Sequence, residues 1–290
     1  MEHILQVQNL GKTYPKDKFV LDNISFNLPK GAIMGLVGEN GSGKTTIINI
    51  ILGIIRQHTG VVNIFGRPYH IDDMDMKAQL GVVFDTSYFP DSFTPKDIGK
   101  IFSRIYPTWD DGHFRTLLER YEIPMKGTVG KLSQGTKAMV AIVTALAQKP
   151  KLIVLDEPTS NIDPVRREEV LDLFQEFIAQ GDGSILFSSH ITSDLEKVAD
   201  YMTIIHKGKL VATADKDHFL YGYGIVRCNK DTFHTLAKDY PDEILAYAQR
   251  DYQYRILVKD QRKIPTGAYV LENPMLDEIM YLLSRGQKLC

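Results

Sequence analysis

Three stretches near the start of the chain mix alternating and continuous apolar positions: HILQVQNL, VLDNISFNL and AIMGLVG. Alternation and β-branched residues predict short strands within residues 1–35. A glycine-rich turn from Gly38 breaks that pattern, and TTIINIILGII then predicts a helix. GVVNIFGRPYH predicts a strand pair, and LGVVF a short buried strand. Between residues 86 and 130 the pattern changes. Pro90, Pro95, Pro107 and Pro124 punctuate segments of helical character, KDIGKIFSRIY and DGHFRTLLERYEI, and predict a helical insertion.

Strand and helix then alternate. KLIVLD is a continuous apolar run of the buried parallel kind. Asp163-Pro164 predicts the cap of a helix with Val170, Phe174, Phe177 and Ile178 on one face and Gly181 at its stop. SILFSSH predicts the next strand, and YMTIIHKGKLVAT a hairpin turning at Lys207-Gly208. After about residue 216, YGIVRC, EILAYAQR and YQYRILV predict strands, and DTFHTLAKDY and PMLDEIMYLLS predict helices. The expected fold class is α/β, with a main domain over residues 1–216, including a helical subdomain at about 86–145. A small α+β domain is expected over 217–290.

Composition narrows the function classes. Of 290 residues, 43% are apolar and 24% charged, as in a globular protein with a real core. A net charge of −2, with basic residues scattered, argues against a nucleic-acid partner. Cys228 and Cys290 make neither a metal spacing nor a disulfide framework, which fits a reducing compartment. MEHILQVQNL has no basic start and no long apolar run. The longest apolar stretch, Ile47 to Ile55, is interrupted by Asn49 and Gly53 and falls short of the roughly 20 residues that span a bilayer. The expectation is a chain soluble by itself, with any membrane role acting through a partner.

The chemistry concentrates at strand ends. Gly38-Glu39-Asn40-Gly41-Ser42-Gly43-Lys44-Thr45 matches G-x-x-x-x-G-K-[ST] between a predicted strand and a predicted helix. Such a loop curls its amides around a β-phosphate. Lys44 is expected to reach the β- and γ-oxygens, and the Thr45 hydroxyl a magnesium ion. Asp156 and Glu157 end the apolar strand LIVLD, at the edge where open α/β sheets bind ligands. Asp156 is expected to hold Mg²⁺ through water and Glu157 to polarise an attacking water. His190, at the end of SILFSSH, is placed to hydrogen-bond a γ-phosphate. A second turn, KLSQGTKAMV, also opens a helix with free amides, a hydroxyl and a glycine, which suits an anion.

Together these elements resemble the nucleotide-binding subunit of ABC transporters, over about residues 3–213. The sharpest marker is Leu132-Ser133-Gln134-Gly135-Thr136, which looks like the family's signature motif. The resemblance implies an ATPase with ATP and Mg²⁺ as cofactors. It implies a head-to-tail pairing with a second nucleotide-binding subunit, of the same or a sibling chain. Ser133, Gln134 and Gly135 would then act in trans on ATP held by the other subunit's loop. It also implies ATP contacts from Gly38, Asn40, Gly41, Ser42, Gly43, Lys44, Thr45 and Thr46, an adenine-stacking role for Tyr14, and a D-loop role across the interface for Asp163. Glu157, His190 and Lys44 would be catalytic, and Thr45, Asp156 and Asp85 would serve the metal. Asp85 stands where the family has Gln, which puts its metal role in doubt; Gln134 and Thr136 depart from the usual signature.

A permease subunit in the membrane is the implied partner, so the chain would work at the cytoplasmic face of the membrane. Tyr88, Phe89 and Phe93 are its candidate contacts. The tail resembles those of ATPases serving bacterial ABC-2-type exporters, and the whole chain those of phenol-soluble-modulin exporters, which expel amphipathic peptides. The competing reading is a soluble ABC ATPase with soluble partners, like an iron–sulfur assembly scaffold.

Overall fold

A computed structural model describes residues 2–14, 20–85, 89–160, 162–181 and 183–289. Strands β1 (His3–Thr13), β2 (Val20–Pro29) and β3 (Ile33–Val37) precede helix α1 (Lys44–Ile51). Then come β4 (Thr59–Ile64), β5 (Arg67–Pro68), the single turn α2 (Met74–Lys77) and β6 (Leu80–Val83). The insertion forms α3 (Pro95–Ile105) and α4 (Asp111–Arg120), followed by α5 (Gln134–Ala147). The alternating part continues as β7 (Leu152–Asp156), α6 (Pro164–Ala179), β8 (Ser184–Ser189), α7 (Thr192–Val198), β9 (Tyr201–His206) and β10 (Lys209–Asp215). The tail contains β11 (Gly224–Cys228), α8 (Lys230–Asp239), β12 (Ile244–Arg250), β13 (Gln253–Val258), β14 (Val270–Glu272) and α9 (Leu276–Arg285).

Ten strands form one mixed sheet in the order β5-β4-β1-β2-β10-β9-β3-β8-β7-β6. Strands β9, β3, β8, β7 and β6 run parallel to one another. Every residue of β3, β7 and β8 is buried, as continuous apolar runs between two layers of helices require. The register aligns Val37 with Ser189 and Asp156 with Ser188. The C-terminal ends of β3, β8 and β7 therefore lie side by side, although they are far apart in the chain. A separate antiparallel sheet, β12-β13-β11-β14, carries the tail.

Local signals explain several element ends. Thr94 and Asp97 cap each other's backbone amides at the start of α3, with Pro95 in its first turn. The carboxylate of Asp163 accepts from the amides of Val165 and Arg166, as the helix-cap expectation held. The hairpin turns at Lys207-Gly208, both with positive φ. Helix α1 ends four residues before the predicted Ile55, because Gly53 takes φ +71°. Helices α2 and α7 carry no sequence prediction: at four and seven residues they are too short to display a helical period.

Phe89 is buried with its ring 6.0 Å from that of Phe102, and Phe93 packs on the same core. These two side chains therefore hold the helical insertion together, and Tyr88 lies outside the described residues.

Candidate functional site

The loop after β3 is shaped by close approach. A Cβ at Gly38 would lie 2.4 Å from the Ile205 carbonyl and 2.5 Å from Ser42 Oγ, so only glycine fits. Gly43 holds φ +115° at the cap of α1, which turns the chain directly into the helix. The Ser42 hydroxyl is buried without a partner among the described residues, the state expected of a group whose partner is a bound anion. Thr45 is exposed and Thr46 half-buried in the first turn of α1, while Asn40 and Gly41 are exposed at the loop's tip.

Lys44 is only 5% exposed, and its amine is well held. Its ammonium donates to the Gly38 carbonyl at 2.7 Å and the Glu39 carbonyl at 3.4 Å. It also lies 3.1 Å from Glu157 Oε1. The other Glu157 oxygen lies 2.7 Å from His190 Nδ1 and accepts the His190 amide at 3.3 Å. Glu157 thus bridges the lysine and the histidine. Its own backbone is left-handed, with φ +50°, a conformation sparsely populated by non-glycine residues and concentrated at functional sites.

Ser188 fixes that conformation, and sequence reasoning missed it. Its hydroxyl accepts the Glu157 amide at 3.0 Å and donates to Asp156 Oδ1 at 2.7 Å. The visible signal was the pair Ser188-Ser189 closing the strand just before His190. Asp156 is 4% exposed and, among the described residues, no basic side chain pairs with it. A buried carboxylate hydrogen-bonded by one hydroxyl suits a hard cation, as the sequence expectation for Asp156 requires.

Asp85 follows β6 and accepts from Ser160 Oγ at 2.9 Å, in the loop that leaves Glu157. Asp85, Glu157, Ser160, Gln134 and Lys137 line one small crevice, so the start of α5 lies near the Asp-Glu strand end. Ser133 caps α5: its exposed hydroxyl accepts the Thr136 amide at 3.1 Å. A Cβ at Gly135 would meet Ile162 at an ordinary 3.7 Å, so the chain's own packing does not demand glycine there. Tyr14 follows β1 half-buried, with the Lys12 ammonium 5.5 Å from its ring centre.

Neighbouring groups complete the electrostatics. Burial pushes the Asp194 carboxyl up, against a hydrogen bond from Thr159 and the charge of Arg167. Thr159 Oγ1 donates to that carboxylate at 2.8 Å, tying the loop after Glu157 to α7. Burial pushes His206, at the end of β9, down against the opposing pull of Glu39.

The family described as "ABC transporter" matches residues 21–160. The chain is 34% identical over 240 residues to the ABC transporter ATP-binding protein YtrB of Bacillus subtilis (strain 168), covering 81% of this chain and 80% of that protein. It is 32% identical over 220 residues to the bacitracin transport ATP-binding protein BcrA of Bacillus licheniformis, covering 75% and 72%. Among solved structures, an ATP-binding subunit of an ABC transporter superposes with a TM-score of 0.67 at 26% identity, covering 74% of this chain and 90% of that one.

Proposed function

This chain belongs to the ABC transporter ATP-binding proteins, the ATPase subunits of transporters, and we propose that it pairs with a second such subunit around MgATP to drive export through a separate membrane permease. The observation that carries the reading is the convergence of Lys44, Glu157 and His190 at three adjacent strand ends.

In this reading the amides of Gly41 and Gly43, the Ser42 hydroxyl and the Lys44 ammonium cradle the β- and γ-phosphates, with Gly38, Asn40, Thr45 and Thr46 framing them and Tyr14 against the adenine. Glu157 takes the proton of the attacking water, and His190 orients that carboxylate from the far side. Asp156 and Thr45 would hold magnesium, with Asp85 beside them; the ion would neutralise charge on the phosphates. The relatives named for transport support a place at the cytoplasmic face, held by the permease; among the described residues no helix is long and apolar enough to cross a membrane.

The exposed N-terminus of α5, with Ser133, Gln134 and an unforced glycine at 135, supports a surface that meets ATP on the partner, with Asp163 nearby across the joint. Ser133→Arg is expected to cut ATP turnover by about tenfold or more, by placing a bulky side chain in that joint, while leaving each subunit's own ATP affinity unchanged. Turnover at the parent rate would sink the trans arrangement.

Permease docking is better supported at the groove of Leu52, Ile54, Tyr69, Lys77 and Tyr106 than at the insertion's buried aromatics. Ile54 is 59% exposed there. For cargo, the bacitracin transport relative supports peptides, and the whole-chain resemblance favours amphipathic, membrane-active ones. The two-domain division at about residue 216 belongs to the same reading, with the tail as an appendage to the ATPase.

A pull-down of tagged Glu157→Gln chain with ATP from detergent-solubilised membranes tests the transporter role. A polytopic membrane protein is the expected co-purifying partner. Only soluble partners would overturn the permease reading and favour a soluble assembly ATPase, which the relatives named for transport do not support.

A further inference from the structure

The tail reaches the nucleotide loop. Arg285, the last residue of α9, forms a forked pair with Glu39, the second residue of the phosphate loop and 246 positions away. Its Nε and Nη2 donate to Glu39 Oε1 at 3.2 and 2.9 Å, and Nη2 donates also to Oε2 at 3.1 Å. Glu39 is not an idle residue of that loop. Its carbonyl accepts the Ser42 amide at 3.1 Å and the Lys44 ammonium at 3.4 Å. Whatever fixes Glu39 therefore bears on both Ser42 and Lys44.

Helix α9 is itself held firmly elsewhere. Leu276, Ile279 and Leu282 are at most 2% exposed and join the main core with Leu195 and Val198 of α7. The Leu276 amide donates to Glu196 Oε1 at 2.8 Å, and Thr192 Oγ1 donates to Asp277 Oδ1 at 2.8 Å. Thr192 lies two residues past His190. One rigid helix thus touches the segment behind His190 at its start and the phosphate loop at its end. The cation at the helix C-terminus also suits the helix dipole.

We propose that Arg285 is a positioning residue for nucleotide binding, acting through Glu39: the tail helix presets the phosphate loop and neutralises a carboxylate that would otherwise face the incoming triphosphate unpaired. This rests on the ATPase reading of the loop. Both partners are about half-exposed, at 59% and 48%, so the effect belongs to the loop and not to global stability. Because α9 is anchored by its apolar face, Arg285→Ala removes the fork and leaves the helix in place.

A double-mutant cycle on the full-length chain tests this. Arg285→Ala is expected to raise KM for ATP about two- to fivefold with kcat little changed, the range an exposed ion pair allows. In a Glu39→Gln background the same substitution is expected to have no further effect, and Arg285→Lys to recover part of the loss, lacking the fork. An unchanged KM, or an equal rise in the Glu39→Gln background, would overturn the proposal, since the latter means that Arg285 acts through tail packing. Amide hydrogen exchange without nucleotide gives an independent readout. Arg285→Ala is expected to speed exchange over residues 38–43 and leave the α9 amides unchanged; unaltered loop exchange overturns the clamp. Failure of the parent chain to bind or hydrolyse ATP would instead strike the ATPase reading, and loop exchange would still decide whether the clamp exists.

Discussion

Glu157→Gln is expected to lower ATP turnover by about a hundredfold or more, the range for removing a general base, and at the same time to tighten ATP binding. The two effects come from the two carboxylate oxygens. Oε2 lies against the His190 ring and Oε1 against the Lys44 ammonium. The amide of glutamine keeps the size and the shape but cannot take a proton from water, so the chemical step stalls. It is also neutral, so Lys44 loses the anion that competes with the phosphates for its charge. Phosphate release measured at saturating ATP, together with equilibrium binding of ATP, checks both parts. Parental turnover in this variant would remove Glu157 from the role of base. A stalled variant that binds ATP no more tightly would show that the Glu157–Lys44 pair does not compete with nucleotide.

Lys44→Ala carries the second large effect, a loss of ATP affinity of about a hundredfold. A charge-assisted bond to phosphate is worth more than a neutral one, and a buried charged pair broken on one side typically costs about 2–5 kcal/mol. Here the lysine is 5% exposed and clasped by two loop carbonyls as well as by Glu157. Its removal leaves the Glu157 carboxylate without its cation and next to the position of the phosphates, so repulsion adds to the lost contact. Titration calorimetry with ATP, with the thermal midpoint followed in parallel, measures the change and separates it from unfolding. An alanine variant that binds ATP like the parent would mean that the loop amides alone hold the nucleotide.

The two substitutions meet at one contact, so their effects on binding are not expected to add. Lys44→Ala in the Glu157→Gln background removes a cation from a site already without the opposing anion. The affinity lost there measures the phosphate contact, free of the repulsion that Glu157 contributes.

The features that the chain itself determined are those made by neighbours in sequence. The glycine loop needs only consecutive residues with the right backbone freedom, so GENGSGKT announced itself, as did the Lys207-Gly208 hairpin and the Asp163-Pro164 cap. Buried parallel strands write themselves as apolar runs, so LIVLD and SILFSSH were legible together with the carboxylates and histidine at their ends. Tertiary structure decided everything that depends on which strand lies beside which. The order β3-β8-β7 brings Lys44, His190 and Glu157 together, and puts Ser188 between Asp156 and the Glu157 amide. It also moved Phe89 and Phe93 from candidate docking contacts to the packing of the insertion. The Arg285–Glu39 fork, spanning 246 positions, had no local signature at all. A surface arginine and a surface glutamate look alike wherever they fall, and only the apolar face of α9, seated on α7, brings that pair within reach.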